Sequence, residues 1–96
     1  MANPLNGTSY IVSFELGTGA NKEALIAALK SYGTWGRVTN ETWVIVALSD
    51  NAASVRDKLT PFIGTGGRIF IVKSGFEAAW QNAACDSEWL KKYLEN

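Results

Sequence analysis

Glu15 is the penultimate residue of the run Tyr10-Ile11-Val12-Ser13-Phe14-Glu15-Leu16, which leads directly into Gly17-Thr18-Gly19. A strand that ends on a carboxylate, followed by a glycine turn and a helix, is a common place to build a site, so Glu15 is the catalytic candidate. Its plainer reading is a strand-end acid facing solvent, or one paired with Arg37, Arg68 or Lys73. Gly17, Thr18 and Gly19 open onto a helix N-terminus, where backbone N–H groups can cradle a phosphate. The turn is too short for a dinucleotide fingerprint and lacks the Lys-Ser/Thr of a P-loop, so it also reads as a plain connector. Arg37, Arg68 and Lys73 make a small basic cluster if the second and fourth strands bring them together. With Trp35 or Trp43 exposed beside them, they would suit a nucleotide or single-stranded RNA through stacking and phosphate contact. Against this, the tryptophans read equally as core and the cations as a solvated rim.

Other chemistry is excluded by composition. The chain has no histidine, which removes the usual general base, the commonest metal ligand and every Ser-His or Cys-His nucleophile. Its one cysteine, Cys85, has no internal partner for a bridge. Cys85 lies just before a helix N-terminus, a position that can lower a thiol pKa; without a histidine or a resolving cysteine it reads as an inert cap residue. Nine basic residues balance nine acidic ones across 96 residues, which argues against a strongly basic nucleic-acid binder. A chain of this size makes one domain and needs neither disulfide nor metal to fold. No apolar run approaches the roughly 20 residues of a membrane span, and no secretory leader is legible, so the expected compartment is the cytoplasm.

The elements that must position these residues follow from periodicity. Residues 1–7 read as a loose arm, broken by Pro4 and Gly7, and 8–96 as the domain. A first strand from Thr8 to Leu16 sets Tyr10, Val12 and Phe14 on one face and Ile11, Ser13 and Glu15 on the other. A helix from Asn21 to Tyr32 follows, with Leu25, Ala28, Leu29 and Tyr32 as its apolar stripe and Gly33 as its stop. Thr34 to Thr39 and Glu41 to Leu48 form a hairpin, the second strand apolar on both faces and therefore central. Ser49 or Asp50 caps a helix that reaches Phe62 and buries Ala52, Val55, Leu59 and Phe62. After the turn Gly64-Thr65-Gly66-Gly67, a fourth strand runs from Arg68 to Ser74. Asp86 caps a last helix with Trp89, Leu90, Tyr93 and Leu94 inside, and Glu88, Lys91, Lys92 and Glu95 outside.

The order β-α-β-β-α-β plus a helix predicts an α+β, ferredoxin-like domain: a four-stranded antiparallel sheet with two helices on one face plus a C-terminal helix. Right-handed crossovers put the first and third strands at the centre. Both are apolar on the face away from the two helices, so the C-terminal segment, a second subunit or both must cover it. The short, polar second strand is expected at an edge, where pairing between chains is a further option.

These residues also resemble a family. The first strand, Ser31-Tyr32-Gly33-Thr34-Trp35, Thr42-Trp43-Val44-Ile45-Val46, Val55-Arg56-Asp57-Lys58-Leu59 and Gly75-Phe76-Glu77-Ala78-Ala79-Trp80 are similar to the small SinR-like proteins of bacteria and their phages. That set lies within a wider group of ferredoxin-like domains that includes the second CRISPR-associated protein, a dimeric subunit of the spacer-integration complex, and virulence-associated protein D. The resemblance to the SinR-like set covers nearly all of the chain after Thr8; to the CRISPR subunit, only the element order and first strand correspond. Some members are metal-dependent nucleases whose key aspartate ends the first strand and pairs with its copy across a two-fold axis. Here that position is Glu15, from which two copies would hold Mg²⁺ or Mn²⁺ with Ser13 on the same face. The extra methylene moves the carboxylate by about a bond length, a significant shift for near-octahedral Mg²⁺.

The expectation is a homodimeric, non-catalytic binding or assembly module with no cofactor. Two alternatives stand beside it. One is a metal-dependent nuclease acting on RNA or DNA through Glu15. The other is a nucleotide-signal-binding protein of phage or defence origin, using Gly17, Thr18, Gly19, Arg37, Arg68 and Lys73.

Overall fold

A computed structural model describes residues 7–75 and 77–94. Residues 1–6 of the arm, Phe76 and Glu95, all used in the sequence reading, lie outside the described residues. The chain is α+β: β1 (Thr8–Glu15), α1 (Lys22–Lys30), β2 (Thr34–Thr39), β3 (Thr42–Ala47), α2 (Ala52–Leu59), β4 (Arg68–Lys73) and α3 (Ser87–Leu94). The four strands form one antiparallel sheet in the order β2-β3-β1-β4, which puts β1 and β3 inside and leaves β2 and β4 as edges.

Strand alternation divides the apolar side chains between two cores. Tyr10, Val12 and Phe14 of β1 and Trp43, Ile45 and Ala47 of β3 are buried with Leu25 and Leu29 of α1 and Val55, Leu59 and Ile63 from α2 and its exit. On the opposite face, Val44 packs with Leu90 and Leu94 of α3, joined by Ile11, Val38, Trp80 and Trp89. Leu25, Leu29, Ile45 and Leu59 are wholly removed from solvent. Each such side chain contributes about 1.5–3 kcal/mol relative to an exposed one.

Local signals set the ends of the helices. The Asn21 side chain accepts a hydrogen bond from the Ala24 N–H at 3.0 Å, and Gly33, at φ +91°, ends the turn after α1. The α2 cap is Asn51, one position beyond Asp50 and two beyond Ser49, the expected caps. Asn51 and Ser54 exchange side-chain-to-backbone hydrogen bonds of 2.8 and 2.9 Å, a reciprocal capping box. The same helix stops at Leu59, short of Phe62, because Pro61 tightens Thr60–Phe62 into a 3₁₀ turn. The described residues between Lys73 and Ser87 form no regular element; the Ala84 N–H donates to the Val38 carbonyl at 2.9 Å and ties this segment to β2. Among the described residues, no helix is long and apolar enough to cross a membrane.

Candidate functional site

Glu15 lies opposite Arg68 in the β1–β4 register. Its Oε1 accepts a hydrogen bond from Arg68 Nη1 at 3.2 Å, and both side chains are largely exposed, at 64% and 81%. Ser13 shares the shallow depression beside them with Phe14, Ile69 and Phe70. Among the described residues, no three Cys, Asp or Glu side chains converge as a metal site. Within one chain, the Glu15 carboxylate thus already has a guanidinium as its counter-charge.

Gly17-Thr18-Gly19 locks onto the other glycine turn. The Gly17 N–H donates to the Ile63 carbonyl at 2.8 Å, and Thr18 and Thr65 exchange backbone hydrogen bonds of 2.9 and 2.8 Å. The Ala20 and Asn21 N–H groups donate to the carbonyls of Gly17 and Phe62. A phosphate would find these donors engaged, so the turn holds two loops together.

The basic residues do not form one cluster. Arg37 lies on β2 and Arg68 and Lys73 on β4, the two opposite edges of the sheet. Three strand spacings separate those edges, ~14 Å across the sheet. Arg68 and Lys73 themselves occupy opposite ends of β4.

Two other features emerge from packing. The first is at β4, where Phe70 is 63% and Val72 38% exposed on the face that α3 covers elsewhere. Their inward neighbours Ile69 and Ile71 pack against the helix-side core. The C-terminal segment thus covers β3, β2 and part of β1 but leaves this edge strand bare.

The second is a cavity of about 480 Å³ at the β2 edge, lined by Ile26, Lys30, Trp35, Gly36, Arg37, Trp43, Ala84, Cys85, Asp86 and Trp89. Trp35 of β2 and Trp43 of β3, which lies opposite Arg37, project from the helix side with ring centroids 5.2 Å apart. Lys30 holds its ammonium 5.0 Å from the Trp35 ring centroid. Trp89 reaches the same edge from the α3 side because position 36 is glycine; a Cβ there would meet its ring at 2.9 Å. Burial pushes the Cys85 thiol pKa up, with the Asp86 charge adding to the rise and a backbone hydrogen bond opposing it, so Cys85 is a poor nucleophile. A glycine inside a strand is a signal of close approach, and Gly36 was the legible clue to this cavity. Compared with known proteins, the chain matches no family model and no curated sequence.

Proposed function

We propose that this chain is a ferredoxin-like domain of the SinR-like kind that works as a homodimeric, non-catalytic binding or assembly module. The strand order β2-β3-β1-β4, with both helix-forming crossovers on one face, supports the ferredoxin-like reading. The pairing reading is carried by Phe70 and Val72, large apolar side chains exposed on an edge strand. A second copy covers them and completes the layer that α3 begins.

The pairing is by this apolar face. At the β4 edge itself, the exposed Lys73 is a familiar guard against strand-to-strand addition. Sedimentation velocity tests the reading. At micromolar concentration the wild type is expected at twice the monomer mass, and Phe70→Asp at the monomer mass with an unchanged far-UV circular dichroism spectrum. A wild type that stays monomeric throughout sinks the proposal.

A further inference from the structure

We propose that the tryptophan cavity at the β2 edge is a binding site for a planar heteroaromatic ring carrying an anionic group. It lies on the opposite edge of the sheet from Phe70 and Val72, so it stands or falls independently of the pairing reading.

Three observations converge. First, the volume of about 480 Å³ is within the usual range for small-ligand pockets. Second, the chain has four tryptophans, and three of them, Trp35, Trp43 and Trp89, line this one cavity from both faces of the sheet. Their alignment is structurally awkward. Trp35 remains 37% exposed, and Trp43, only 2% exposed, has an indole N–H without a partner among the described residues. An unpaired buried donor costs roughly 1–3 kcal/mol, so packing alone does not favour indole at this place over a plain hydrocarbon. Third, the charged groups are Lys30 and Arg37 against the single carboxylate of Asp86, leaving an excess of positive charge beside the rings. The Lys30 ammonium lies over the Trp35 ring, so a ligand ring that stacks there displaces it to the rim, where it meets the ligand's anion. Aromatic walls favour a flat ring by stacking, and guanidinium and ammonium groups favour a phosphate or carboxylate through charge-assisted hydrogen bonds. Asp86 provides an acceptor for a ring N–H or exocyclic amino group, as a nucleobase carries.

Titration with GMP, AMP and nicotinate, followed by tryptophan fluorescence, tests the site and separates its two sources of ligand, mononucleotides and aromatic carboxylates. Saturable quenching by at least one of them is expected, with guanosine or adenosine at least several-fold weaker than the matching nucleotide if a nucleotide binds. The double variant Lys30→Gln/Arg37→Gln changes two exposed side chains and should raise Kd roughly tenfold with the fold intact. Trp35→Ala should abolish the saturable signal; its circular dichroism is recorded alongside because Trp35 also covers Trp43. No saturation by any of the three at millimolar concentration overturns the proposal. So does binding that the Lys30/Arg37 double variant leaves unchanged, or a response to inorganic phosphate alone.

Discussion

Glu15 and Arg68 make a well-registered ion pair whose worth is set by its exposure. Both side chains are mostly in solvent, so the pair contributes about 0–1 kcal/mol. Glu15→Ala is therefore expected to shift the thermal midpoint by only a few degrees, about 5 °C at most. On single-stranded RNA and DNA with Mg²⁺ or Mn²⁺, the variant and wild type should give equal signals. Metal-dependent cleavage that disappears in Glu15→Ala would instead make the chain an enzyme. Tyr32 offers a sharper residue-level test. Burial, helped by the charge of Asp50, raises its pKa from 10.0 to about 12, and its hydroxyl has no hydrogen-bond partner among the described residues. Between those values the unfolded chain loses the tyrosine proton first and binds fewer protons than the folded one. Stability therefore falls as pH rises from 10 towards 12, and the contribution is fully present below 10. Denaturant unfolding at several pH values should show Tyr32→Phe with a shallower alkaline loss and equal or greater stability at neutral pH. A steeper loss in the variant would contradict the assignment.

At the scale of the element, the two glycine turns act as one joint. A Cβ on Gly17 would collide with the Thr65 carbonyl, so Gly17→Ala should cost about 1–3 kcal/mol, measured by urea unfolding. Gly19 has open space around its Cβ position but φ +75°, so Gly19→Ala should be strained without any clash. Strand and helix faces were legible in the sequence because alternation in Tyr10-Ile11-Val12-Ser13-Phe14 and the Leu25/Leu29 spacing each have one low-energy solution. The α2 cap was less legible because Ser49, Asp50 and Asn51 are three competent caps in succession. Ser54 decides among them, since its hydroxyl sits at the third helical position only when Asn51 is the cap. The engagement of the Gly17 and Thr18 N–H groups was not legible at all. It depends on Ile63 and Thr65, more than forty residues away, and no local pattern encodes that partner.

For the whole molecule, strand order does what local reading does not. Once β1 and β3 are central, β2 and β4 must be edges, so the separation of Arg37 from Arg68 and Lys73 was already implicit in the predicted topology. The Trp89 contribution to the cavity was not implicit, because the amphipathic pattern of α3 gives its buried side but not where on the sheet it docks. Gly36→Ala tests that docking. The added Cβ would press on the Trp89 ring, so loss of near-UV circular dichroism with far-UV signal retained is expected, and an unchanged near-UV spectrum would argue against the contact. The same topology has a consequence during synthesis. β1 emerges from the ribosome first, yet both of its neighbours in the sheet, β3 and β4, come from later in the chain. At about 5–20 residues per second, β1 waits several seconds before β4 is made. Until β3 follows, a strand with apolar side chains on both faces has neither neighbour to pair with, and until β4 follows it keeps one open edge, so early encounters between nascent copies are its principal hazard.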